Sequence, residues 1–339
     1  MVTDRLAPTA ARTTRLRPGP LALCCLGTLV IAGLGCVLGP VPIAPADILA
    51  GSLTPTEQAI LFQLRLPRVV LGLLVGALLA GCGAAYQGVF RNPLADPYLL
   101  GAAAGAGLGA VLAIALGLGG ASGLVGVPLF AFVGTMVAVA LTYLLGGTGR
   151  AGGTASLILA GVAVAAFLGA VQTFVLQART DQLQEVYAWL LGRLSIVGWT
   201  EVWVVLPYAV VSLTVIWLSR RVLDVLAVGD DESRLLGMNP GVVRLVLVIA
   251  ASLGTAAAVS VGGLIGFIGL VVPHLVRLAV SVSYRVIVPL SVVAGGGVLV
   301  AADIVARMAL APAEIPIGVV TAFLGAPFFG LLLRRGRTT

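Results

Sequence analysis

Residues able to do chemistry are few and scattered in this chain of 339 residues. It holds one histidine, His274, and no HExxH motif, nucleophile elbow or cysteine–histidine pair. Its four cysteines, Cys24, Cys25, Cys36 and Cys82, lie in apolar stretches without CxxC spacing, so no metal centre or disulfide framework is expected. All 20 basic residues are arginine. Without lysine the chain completes no Walker A loop and forms no Schiff base. The middles of the apolar segments carry essentially no acids; Glu201, Asp303 and Glu314 fall at segment ends. An ion-coupled carrier usually needs an intramembrane carboxylate or a broken-helix ion site, and no proton relay is visible. Neither catalysis nor a cofactor is expected, and uphill work would have to be powered by a partner.

Two charged patterns remain. Asp303 and Arg307, four residues apart, share a helical face and can pair. The plain reading is a stabilising pair at a segment end. The functional reading joins Arg307 to Arg65 and Arg68 as a cationic rim for the acidic side chains of a docking protein. His274, beside Pro273, is expected to pack or hydrogen-bond within a helix bundle instead of holding a ligand.

These residues must be positioned by membrane helices. Apolar residues make up 60% of the chain and charged residues 10%. A soluble protein carries about a quarter charged residues, and disorder requires low hydrophobicity. Ten apolar segments follow one another, at roughly 21–39, 69–90, 98–117, 124–146, 154–177, 201–219, 242–261, 264–280, 286–303 and 315–333. The expectation is an all-α integral membrane protein of about ten transmembrane helices. Only Gly262 and Gly263 separate the seventh and eighth segments, so fusion into one long helix is the alternative there. Residues 1–20 read as a cytoplasmic tail and 21–335 as a single domain. The first apolar run has no small-residue cleavage pattern, and Leu23 in the stretch LALC is too large for a lipoprotein site, so it reads as a first span.

With the amino terminus in the cytoplasm, 15 arginines fall inside and five outside: Arg65, Arg68, Arg179, Arg193 and Arg307. This places both termini inside. The net charge of +7 does not imply nucleic acid, because the arginines lie between apolar spans instead of forming a patch. Gly72 with Gly76, and Gly105 with Gly101 and Gly109, have the GxxxG spacing of close helix packing. No strand precedes Gly105, which excludes a nucleotide loop.

Three intervening segments carry information. Residues 40–64 are rich in proline and lead into Arg65-Leu66-Pro67-Arg68. In 178–200, Leu183, Val186, Tyr187, Leu190 and Leu191 share a helical face while Gln182, Gln184 and Glu185 point away, as in a helix lying along the outer interface. Segment 220–241 is the longest polar stretch on the inside and the natural docking place for an energy-supplying partner. Asp230 or Asp231 would cap a short helix there, Gly237 would end it and Pro240 would open the next span.

Several long motifs stand in order: RLPR at 65–68, NPLADPYLLG at 92–101, LAVGDDESRLLGM at 226–238, GLIGFIGLVVPHLVR at 263–277, ADIVAR at 302–307 and EIPIGVVTAFLGAPFF at 314–329. Over about 21–335 the chain resembles the FecCD family, the permeases of type II ABC importers for iron–siderophore, haem and cobalamin. The resemblance implies ten helices per subunit in the cytoplasmic membrane of a bacterium. It implies a second permease, identical or related, on a two-fold axis, with two ATPase subunits beneath and a substrate-binding protein outside. Arg65, Arg68 and Arg307 match the arginines that meet glutamates of the binding protein. Leu226, Gly229, Asp230, Asp231, Glu232, Arg234, Leu236 and Gly237 fall in the stretch that couples to the ATPase. The path is implied to be lined mainly by the fifth and tenth helices, with a cytoplasmic gate where Thr154 and Ala155 match; Ala155 departs from the second small hydroxyl often found there. By resemblance the cargo is a ferric siderophore, with cobalamin or haem as the alternative. An ion-coupled carrier and a membrane scaffold without transport are the distant rivals. NPLADP at 92–97 has a plainer account as a tight reversal, with Asn92-Pro93 and Asp96-Pro97 breaking helix on either side.

Overall fold

A computed structural model describes residues 16–118, 123–147, 154–179, 182–194 and 198–336. Among them helix is the only extended secondary structure, joined by turns and irregular chain, with one isolated bridge between Leu310 and Ala313. The helices are α1 (Pro18–Val37), α2 (Pro45–Ala50), α3 (Pro55–Ala59), α4 (Leu66–Val89), α5 (Ala102–Ala115), α6 (Gly123–Gly147), α7 (Thr154–Ala178) and α8 (Leu183–Leu190). They continue with α9 (Thr200–Leu218), α10 (Arg220–Val228), α11 (Asp230–Leu235), α12 (Pro240–Gly262), α13 (Ile268–Ala279), α14 (Tyr284–Met308) and α15 (Ile317–Gly336). A wider π-helical turn at Ile60–Arg65 joins α3 to α4.

Each of the ten apolar segments holds a helix. Among the described residues seven helices are long and apolar enough to cross a membrane, while α5, α13 and the described apolar part of α15 are shorter. The 14 residues of α5 and 12 of α13 rise about 21 and 18 Å, short of a hydrocarbon core of about 30 Å. Their segments include non-helical chain on the amino-terminal side. The seventh and eighth segments do not fuse: α12 stops where Gly263 turns to φ +68°, and Phe267 at φ +70° precedes α13.

Helix α4 is the buried centre, with α1, α9, α12, α13 and α14 around it. The glycine spacing explains how closely they approach. A Cβ on Gly76 would overlap the backbone of Gly295 in α14, and one on Gly295 would overlap Gly76. Gly105 and Gly134 stand in the same relation between α5 and α6. Packing that close gains dispersion contacts where lipid removes the hydrophobic drive between helices. On α8, Val186 and Trp189 are buried whereas Tyr187 and Leu191 are exposed, so the buried face is rotated from the expected stripe.

Candidate functional site

The RLPR arginines and Arg307 gather at one end of the bundle. Arg68 donates to both oxygens of Asp303 and reaches Glu314 with two more hydrogen bonds, at 2.8 and 3.0 Å. Arg307 Nε lies 3.1 Å from Asp303, and its outer nitrogen donates to Gly35 O at 3.1 Å. Arg65 donates to the carbonyls of Cys36, Val37 and Val41. Two guanidinium groups thus cover the last carbonyls of α1, which have no partner inside their own helix and carry the negative end of its dipole.

This differs from a free cationic rim. Arg65 and Arg307 are buried within the chain, and the Arg68 side chain is only 12% exposed. Glu314, 38% exposed, is the most open member of the cluster. The reason is stoichiometric: two carboxylates and a helix terminus lie within reach of three arginines.

The opposite end is built around α10 and α11. Asp224 on α10 accepts from Ser283 Oγ and from the backbone N–H of Tyr284, at 2.7 and 2.6 Å, so it covers the start of α14. Leu223 and Leu226 are fully buried and anchor α10. Gly229 turns the chain into α11, where an added Cβ would collide with the Glu232 carboxylate. Asp230 is the first residue of α11, not its cap; it pairs with Arg91 and with Arg244, the latter at 3.1 Å. Helix α11 ends as expected at Gly237, φ +78°, with Gly237 N–H donating to Arg234 O and Met238 N–H to Ser233 O. Pro240 opens α12 behind the Asn239 cap. The outward residues are Asp231 and Arg234, paired at 3.1 Å, with Leu235 at 88% and Leu236 at 70% exposure. Two largely exposed leucines thus stand at the end of a short helix held by buried anchors.

Between the two ends lies unwound chain, in the 92–101 reversal and after Gly262, whose mutual contact no sequence motif announces. The Tyr98 hydroxyl donates to Ile265 O at 3.0 Å and accepts from Ile265 N–H at 3.1 Å. One side chain from the 92–101 reversal therefore satisfies both backbone groups of a residue in the break between α12 and α13. Non-helical backbone at membrane depth requires such partners. Asn92 and Asp96 accept from the N–H groups of Leu94 and Tyr98, which makes NPLADP the expected reversal. The links that sequence reasoning missed are Tyr98, Arg91, Asp224 and Arg244. Arg91 and Tyr98 flank or belong to a conspicuous motif, but their partners lie more than a hundred residues away.

His274 is buried with neither ring nitrogen bonded among the described residues; its ring lies 6.4 and 6.2 Å from those of Phe328 and Phe329 on α15. Packing describes it, not hydrogen bonding. Thr154 is the first residue of α7, but its side chain lies outside the described residues; Ala155 is exposed. No group of three or more His, Cys, Asp or Glu side chains suited to a metal occurs among the described residues.

A sequence profile describing the FecCD transport family matches residues 25–335. The cobalamin import system permease BtuC of Halobacterium salinarum is 43% identical over 292 residues, covering 86% of this chain and 78% of that protein. The vitamin B12 import system permease BtuC of Escherichia coli is 40% identical over 319 residues, covering 93% and 95%. YvrB of Bacillus subtilis, an uncharacterized ABC transporter permease, is 41% identical over 289 residues, covering 84% and 81%. Among solved structures, a metal-chelate-type ABC transporter in an inward-facing conformation superposes with a TM-score of 0.84 at 28% identity, covering 94% of this chain and all of that one.

Proposed function

The chain belongs to the FecCD transport family, and on that premise we propose that it moves a large metal chelate through the membrane, driven by ATPase subunits that grip α10 and α11. It is a multi-span permease subunit of an ABC importer. The observation that carries the coupling assignment is the elbow itself. Leu235 and Leu236 stand in the open while Leu223, Leu226, Asp224 and Asp230 fasten their helices to α4, α12 and α14. A push on the elbow is thereby delivered to the buried centre of the bundle.

For cargo, relatives at 40 and 43% identity named for cobalamin or vitamin B12 favour a corrinoid. This reverses the order implied by the family resemblance, which put ferric siderophore first. The siderophore remains the second reading, supported by the metal-chelate-type neighbour. Arg68 and Glu314 present the polar contact for an extracytoplasmic binding protein, with Arg65 and Arg307 holding that surface from behind. A second permease completes the path, gated at Thr154 and Ala155.

The test is uptake by the full assembly in proteoliposomes with ATP. Labelled cobalamin should accumulate, and excess ferric siderophore should not compete. Siderophore accumulation with cobalamin left outside would reverse the cargo assignment. Accumulation by this chain without an ATPase would overturn the coupling.

A further inference from the structure

A groove of about 250 Å³ opens between α6, α9 and α12, lined by no residue of the arginine cluster, the elbow or the Tyr98–Ile265 contact. Its walls are apolar: Leu129 and Val133 from α6, Val204 and Tyr208 from α9, Val261 from α12. Leu129, Val133 and Val204 are about half exposed, so the groove faces outward from the bundle. One charged residue lines it. Glu201, in the first turn of α9, has a carboxylate oxygen shielded from solvent with no hydrogen-bond donor among the described residues.

The depth of Glu201 follows from its neighbours. Trp199 Nε1 donates to Phe62 O and Gly198 N–H to Gln63 O, just before Arg65, so this end of α9 is level with the arginine cluster. Trp203 is exposed nearby. Tryptophans concentrate where hydrocarbon meets head groups. An outward apolar groove in a membrane protein is filled by acyl chains whatever their head groups. The carboxylate adds a choice. A partly exposed carboxylate lining the groove at the interface calls for a cationic donor, and a primary ammonium provides three N–H groups for charge-assisted bonds. A quaternary ammonium has none, and an anionic head group is repelled.

We propose that this groove is a binding site for phosphatidylethanolamine, with an acyl chain along Leu129, Val133 and Val204 and the ammonium on Glu201. The site requires neither the cargo nor the coupling assignment.

The test is native mass spectrometry of the purified full chain, exchanged from detergent with equal amounts of phosphatidylethanolamine, phosphatidylcholine and phosphatidylglycerol bearing identical acyl chains. Phosphatidylethanolamine should be retained about tenfold better than either competitor, as one charge-assisted hydrogen bond can provide. Glu201→Gln should abolish the preference while leaving total lipid unchanged. Val133→Trp, which fills the groove and leaves the carboxylate in place, should remove the same single lipid. Equal retention of the three head groups by the native chain, or a preference that survives Glu201→Gln, would overturn the proposal.

Discussion

The two ends of the bundle use the same residue types for opposite purposes. At the Arg68 end, Asp303 is held by two arginines and is almost inaccessible, its side chain 2% exposed. At the α11 end, Asp230 is also held by two arginines, Arg91 and Arg244, yet is 34% exposed. The first cluster closes α1, α4, α14 and the loop before α15 against one another. The second leaves its helix presenting Leu235 and Leu236 outward. Burial, more than charge, separates a closed fastening from an open one.

That contrast can be broken by substitution. The largest loss is expected for Asp303→Ala, which leaves Arg68 and Arg307 short of a shared counter-ion and should cost about 3–5 kcal/mol. The parallel change Asp230→Ala should cost less, about 1–2 kcal/mol, because Asp230 and Arg91 are each 34% exposed, although Arg244, at 11%, also loses its counter-ion. Thermal melts in detergent compare the two directly, and equal losses would erase the distinction drawn between the ends.

Tyr98→Phe is next in size. It removes one oxygen and leaves the N–H and C=O of Ile265 without that partner, at about 1–3 kcal/mol for each group that stays unpaired. Amide exchange around 263–267 should rise with little change elsewhere. Arg65→Gln uncovers the last turn of α1 and should cost about 1–2 kcal/mol, read as earlier proteolysis between α1 and α2. Smallest in stability is Leu235→Ser combined with Leu236→Ser, within about 0.5 kcal/mol. The same double variant should lose ATPase-driven uptake while remaining inserted. Uptake at the native level would move the coupling surface elsewhere.

Much of the helical layout was legible because apolar runs, glycine spacing and the breaks at Pro240 and Gly237 are local signals. The Asp303–Arg307 pair was legible for the same reason, one helical turn separating the residues. Arg65 was misleading. Its place beside Arg68 suggested a shared exposed surface, but the chain turns α1 back so that the carbonyls of Cys36 and Val37 reach it. The roles of Tyr98, Asp224 and Arg91 are tertiary, with partners 167, 60 and 139 residues away, and no periodicity encodes such pairings. The shortness of α5 and α13 was hidden because unwound chain inside a bundle is as apolar as helix.

The meshing of Gly76 with Gly295 has a mechanical consequence. Two helices that touch backbone to backbone cannot slide past each other without prising the pair apart. Helices α4 and α14 therefore form a stiff mast, and any rearrangement of the bundle must come from what is rigged to it. Helix α10 is tied to the foot of that mast through Asp224.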